Sequence, residues 1–123
     1  MRRMAKFLCI TFACVAVSGV LSASVSAPAA QFTGMSFKPV VENEKVRIMR
    51  ARMEVDAREA LHTHANDVIV VHLSGGEIED TANGKTVVNR WKPGDVEFEA
   101  RGSSHSARNV GEPIDVVLVM LKP

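Results

Sequence analysis

Gly94-Asp95-Val96-Glu97-Phe98-Glu99-Ala100-Arg101-Gly102-Ser103-Ser104-His105-Ser106-Ala107-Arg108-Asn109 reads as a strand, a tight glycine turn and a returning strand that carries His105. Val96 to Glu99 alternates apolar and acidic residues, the period-2 pattern of a strand with two unlike faces. The hairpin matters because it presents an imidazole far along the chain from two others. His62 and His64 are two residues apart, and on an extended chain that spacing puts both rings on one face. Two imidazoles on one face make half a metal site, and His105 is the candidate for the other half. An H-x-H pair alone is weak evidence, because most such pairs are structural.

Outward from these landmarks the chain reads as short strands over 46–55, 68–73, 77–81, 86–91, Val96–Glu99 and Ile114–Leu121. Turns separate them at Ser74-Gly75-Gly76, Asn83-Gly84 and Lys92-Pro93-Gly94-Asp95. Residues 30–44 are mixed and expected to be irregular, with Phe32 and Phe37 as plugs. The one competitor to an all-β reading is 54–64, where Ala57, Ala60, Leu61 and His64 sit at near-helical spacing and fit a single short helical turn. Closely spaced strands and turns point to a sandwich or a barrel. There is no internal repeat.

Residues 1–29 read differently. Arg2, Arg3 and Lys6 open the chain, an uncharged apolar run covers 7–21, and a small-residue stretch ends in Ala27-Pro28-Ala29-Ala30. That is the three-part plan of a secretory signal peptide, with cleavage expected after Ala29. An uncleaved anchor competes with this reading, but the 15-residue run falls short of the ~20 residues that span a bilayer. Cys14 gives a lipid-anchored form little support, since Thr11-Phe12-Ala13 is a poor processing site. The expectation is an exported protein, periplasmic or secreted, with no membrane attachment after cleavage.

Removing those three basic residues from 15 Lys+Arg leaves 12 against 14 Asp+Glu. A slightly acidic, mixed surface gives no electrostatic reason to expect nucleic acid and lacks the basic cluster that anionic lipids attract. Cys9 and Cys14 both fall in the signal segment. The remaining domain therefore forms no disulfide, and any metal site in it uses histidine and carboxylate.

The quoted stretch resembles the second signature of the cupin family, G-x5-P-x-G-x2-H-x3-N. Gly94, Gly102, His105 and Asn109 stand at its spacings, with Ala100 in place of proline. Upstream, His62, His64 and Gly75 are similar to the first signature, G-x5-H-x-H-x3/4-E-x6-G, with Asp56 at its first glycine and Val68 at its glutamate. The chain thus resembles a small single-domain bacterial cupin of the RmlC-like superfamily, over about residues 40–121. The resemblance implies a jelly-roll barrel (a double-stranded β-helix) over 45–123, with 30–44 as an N-terminal segment. It also implies one divalent transition metal (Fe, Zn, Ni, Cu or Mn), a small-molecule ligand and a homodimer. Val68 cannot ligate, so the implied site is three histidines, His62, His64 and His105, with up to three open positions. Cupin dioxygenases of the cysteine dioxygenase and acetylacetone-cleaving types use such sites, and neutral nitrogens favour transition metals over Mg or Ca.

Asp67 lies beside the vacant carboxylate position. Strand alternation points it away, and only a bulge would re-aim it as an extra ligand or as a partner orienting an imidazole. His72 shares the parity of Val68 and Val70 and reads as a hydrogen-bonded core histidine, on the order of 13 Å further along the strand than Val68 and so too far to share the metal. Arg50 and Arg52 are candidates for binding a carboxylate substrate if their row faces inward. The competing reading makes Met49, Ala51 and Met53 the inner row and leaves the arginines in solvent. Trp91 is expected to pack a barrel end or a ligand face. Glu97 and Glu99 share a face and read as solvent-facing. Two function classes stay open: a metal-dependent enzyme of dioxygenase or isomerase type, and a non-catalytic module that binds or senses a metal or small ligand.

Overall fold

The computed structural model describes residues 31–123. The secretory-signal reading of 1–29 lies outside the described residues, as do both cysteines. Among the described residues there are eight strands and no helix: β1 (Phe32–Glu42), β2 (Val46–Thr63), β3 (Asp67–His72), β4 (Gly76–Ala82), β5 (Lys85–Trp91), β6 (Val96–Glu99), β7 (Ser104–Asn109) and β8 (Ile114–Leu121). All pairings are antiparallel, in the order β5-β4-β7-β2-β8-β3-β6, with β1 on β2.

Two segments depart from the sequence expectation. The segment expected to be irregular, 30–44, is instead a strand from Phe32 to Glu42, where β1 runs along β2 from Phe32↔Glu59 to Glu42↔Arg47. Its register slips between Thr33 and Met35 and between Pro39 and Val41, and these slips break the period that identifies a strand. The 54–64 stretch is not helical. β2 stays extended because β7 pairs with it from Arg58 to Thr63 and β1 holds its other edge at Arg58 and Glu59. Tertiary pairing overrides a weak local helical preference.

β2 is the pivot of the barrel. Its first half pairs with β8, from Val46↔Leu121 to Met53↔Ile114. Its second half pairs with β7, from Arg58↔Arg108 to Thr63↔Ser104. The change of partner occurs at Asp56, whose φ of 62° is left-handed. Such a backbone favours glycine, which explains the glycine of the first signature at this place. Aspartate tolerates the conformation, and its Oδ1 accepts a 2.6 Å hydrogen bond from Arg108 Nη2.

Cross-strand rows build the inner wall. Val70 faces Leu118, which faces Met49; His72 faces Val116, which faces Ala51. A tight core of Met53, Ala57 and Ile114 closes the end near the β2 bend, with Met35, Ile78 and Val116 against it. Gly76 belongs there because a Cβ would run into the Ile114 side chain. Asn109, 0% exposed, ties the bend together. Its Nδ2 donates to the carbonyls of Glu54 and Glu112 at 3.0 and 2.9 Å, and its Oδ1 accepts the Gly111 N–H at 3.0 Å.

Candidate metal centre

The last turn of register in β2 assembles the three histidines. His62 lies directly opposite His105 on β7, and Thr63 opposite Ser104. His64 continues the ladder past the strand end: its N–H donates to Ser103 O at 2.9 Å and its carbonyl accepts the Gly102 N–H at 2.8 Å. Gly102 makes this closure with a φ of 83°, a left-handed turn suited to a residue without a side chain. The ring centroids of His62, His64 and His105 form a near-equilateral triangle with sides of 4.8–5.0 Å. One ring nitrogen from each can be chosen so that all three lie within 4.8 Å of one another.

The hydrogen bonds select those nitrogens. His62 Nδ1 donates to Ala60 O at 3.0 Å, and His105 Nδ1 donates to Asp80 Oδ1 at 2.8 Å. With Nδ1 protonated in both, each Nε2 carries a bare lone pair, the form a metal takes. His64 Nε2 stands 3.1 Å from His105 Nε2. Donor atoms on a shared ion with bonds near 2.1 Å sit about 3 Å apart when adjacent. The donor set therefore fits one transition-metal ion. Burial lowers the His64 pKa, against the opposing pull of Glu99, and so favours the neutral ring.

Four carboxylates face the same interior. Asp80 holds His105. Glu59 Oε2 lies 3.8 Å from His62 Nε2 and 3.7 Å from His105 Nε2, and Glu99 Oε2 lies 3.6 Å from His64 Nε2. Glu97 Oε2 is 2.8 Å from His72 Nε2. Burial raises the Glu59 pKa, with the neighbouring His105 and His62 opposing the shift. Burial, the side-chain hydrogen bond with Glu99 and that residue's charge together push Glu97 up to about 8.

The solvent-facing reading of Glu97 and Glu99 is thus overturned. The alternation holds, but Val96 and Phe98 are the exposed pair, at 60% and 61%. Glu97 and Glu99 stand opposite Val70 and Val68 on β3 and face the cavity. Asp80 was legible, since it shares the parity of the core-packed Ile78 on β4. Glu59 was not: an extra residue in β2 between Glu59 and His62 shifts the register and puts residues three apart on one face.

The site opens on a cavity of about 470 Å³. Met49, Met53, Val68, Val70, Leu118 and Met120 make its apolar wall. Arg50 and Arg52 are exposed and do not line it. Arg52 pairs with Glu54 and Asp115 at 2.7 and 2.8 Å, because the alternation that turns Met49, Ala51 and Met53 inward turns the arginines out. Asp67 also stays away, its Oδ1 accepting the Arg101 N–H at 2.8 Å. Trp91 lines the cavity and stacks on His72, with ring centroids 4.4 Å apart at 13°. His72 is 1% exposed and stands apart from the histidine triangle. Its Nδ1 is buried without a partner. A bare acceptor lone pair costs less there than an unpaired N–H, so Nε2–H donates to Glu97.

The chain has the cupin fold. It superposes on a cupin domain from Bordetella pertussis Tohama I with a TM-score of 0.67 at 20% identity, over 73% of this chain and 95% of that one. For an RmlC-like cupin from Shewanella frigidimarina NCIMB 400 the TM-score is 0.60 at 16% identity, over 73% and 78% of the two chains. For KdgF from Halomonas sp. it is 0.60 at 20% identity, over 73% and 80%. No protein-family model matches the sequence, and no curated protein matches it.

Proposed function

We propose that this chain is an exported metal-binding cupin. It holds one divalent transition metal on His62, His64 and His105, and it brings a small, uncharged, largely apolar ligand to that metal, with dioxygenase-type turnover. The observation that carries this reading is the convergence of three imidazoles at the wall of an apolar cavity. A redox-active transition metal held by His62, His64 and His105 would supply Lewis-acid and one-electron chemistry at the cavity wall. The protein's own residues do the rest. Asp80 and the Ala60 carbonyl fix the ring orientations. The Met, Val and Leu rows exclude water from the bound ligand. Glu97 keeps a proton at neutral pH where a ligand in the cavity can exchange it.

The charge of the lining supports an uncharged ligand. Arg47 is its one cation among the described residues, and Glu42 already accepts hydrogen bonds from it at 3.0 and 3.1 Å. Against it stand the carboxylates of Glu59, Asp80 and Glu99, while Glu97 keeps its proton. With a divalent ion bound, these three carboxylates would still outweigh its charge by one, and a ligand carboxylate would find no free guanidinium.

The test has three parts. Purified protein lacking residues 1–29 is expected to carry about one metal per chain, with almost none in His62→Ala or His105→Ala; equal content in all three removes the site. Fe(II)-loaded protein, prepared anaerobically, is then given oxygen with neutral diketones, thiols and phenolic acids. Uptake with the neutral compounds supports turnover, and retained metal without uptake leaves a non-catalytic binding module. Export is checked by N-terminal sequencing of the protein outside the cytoplasm, where a chain beginning at Ala30 is expected and an intact Met1 would refute cleavage.

A further inference from the structure

We propose that the carboxylate missing at position 68 is supplied by Glu59, making the centre a three-histidine, one-carboxylate site. The inference rests on the metal-site reading above. It comes from the β2 bulge. Glu59 pairs with Ala107 and His62 with His105, so three steps along β2 match two along β7. The surplus residue turns Leu61 outward, 73% exposed, and brings Glu59 round to the histidine face, its side chain 18% exposed.

Distances place Glu59 as a ligand. Its Oε2 lies 3.8 Å from His62 Nε2 and 3.7 Å from His105 Nε2. Atoms bound to one ion with bonds of 2.0–2.2 Å sit about 3 Å apart when adjacent and about 4.2 Å when opposite. Both Glu59 distances fall in that span, and since only the three histidine nitrogens lie mutually within 4.8 Å, the carboxylate has to turn toward His64 to join them. No protein hydrogen-bond donor reaches this carboxylate among the described residues. A half-enclosed anion without a donor is costly, and a divalent ion at the histidine triangle removes that cost. Glu99 is the rival. It stands across from Val68 on β6 and reaches His64 Nε2 at 3.6 Å, but it touches one imidazole where Glu59 touches two, and its carboxyl is tied to Glu97.

The experiment measures Co(II) and Zn(II) affinity by competition with a chromophoric chelator, on the chain without its first 29 residues. Glu59→Gln is expected to weaken binding on the order of 100-fold, at the top of the range for losing a group that supports a metal ligand. It is also expected to change the visible spectrum of bound Co(II). Metal-free Glu59→Gln should melt no lower than wild type, since it loses only an unpartnered anion. Glu99→Gln is expected to change affinity less than 10-fold. In wild type, Zn(II) should shift a carboxylate band in the infrared difference spectrum, and the band should vanish in Glu59→Gln. Unchanged affinity in Glu59→Gln, loss in Glu99→Gln instead, or no carboxylate shift in wild type would each overturn the assignment while leaving the three histidines in place. Failure of wild type to bind either metal would overturn the metal site itself, a separate outcome.

Discussion

Glu97 gives the metal-free protein a stability that depends on pH, and Glu97→Gln removes that dependence. In the folded protein the Glu97 carboxyl keeps its proton up to about pH 8, because it is buried and hydrogen-bonded to Glu99; in the unfolded chain it releases it near 4.5. Across that window the folded state binds more protons, so stability falls as pH rises from 4.5 through 8. His72 slopes the other way at lower pH. Burial lowers its pKa below 6.5, so the unfolded chain takes up the proton first and stability falls as pH drops through 6.5. Above 6.5 only the Glu97 loss remains of the two. The 1.5 units from there to about 8 correspond to about 2 kcal/mol at 1.36 kcal/mol per unit. The Glu97 side chain is 24% exposed, so solvent screening makes this an upper figure. The amide introduced by Glu97→Gln has the shape of the protonated acid and can keep both hydrogen bonds, accepting from His72 and donating to Glu99. Thermal melts of metal-free wild type and Glu97→Gln at pH 6.5 and 8 test this. Wild type should lose up to about 2 kcal/mol more than the variant, which is roughly 8–16 °C in Tm for a domain of this size. Parallel Tm curves for the two proteins would refute the buried-acid reasoning.

Three further outcomes follow from the same geometry. Asn109→Ala strands the Glu54 and Glu112 carbonyls and the Gly111 N–H, and should cost about 3 kcal/mol in urea unfolding; a loss under about 1 kcal/mol would remove Asn109 as the tie of the β2 bend. Asp56→Gly relieves a left-handed aspartate and gives up only an exposed ion pair with Arg108. It should therefore be neutral or stabilising by up to about 1 kcal/mol in urea unfolding, and a clear destabilisation would contradict that account. Asp80→Asn keeps the fold but weakens the hold on His105 Nδ1, and should lower metal affinity roughly 10–100-fold by chelator competition; unchanged affinity would show that Asp80 does not orient the ring.

Much of the site was legible because strand geometry is local. The H-x-H spacing puts His62 and His64 on one face wherever the strand goes, and the Gly102 turn returns the chain at His105 in any barrel. The alternation of Glu97 and Glu99 with Val96 and Phe98 was equally readable. Its direction was not, because the usual expectation buries the apolar row, whereas this barrel turns the acidic row toward its polar site and leaves Phe98 outside.

What the sequence by itself determined is the set of strands on either side of the strong turns, the parity along each, and the three imidazoles. What only the tertiary structure decided is the β1 pairing, the extension of β2 past Asp56, the inward face of β6 and the arrival of Glu59 beside His62 and His105. The physical reason is that period 2 is a property of one strand. Which face turns inward, and where a ladder takes an extra residue, are set when the sheet curls and its strands find partners far apart in the chain.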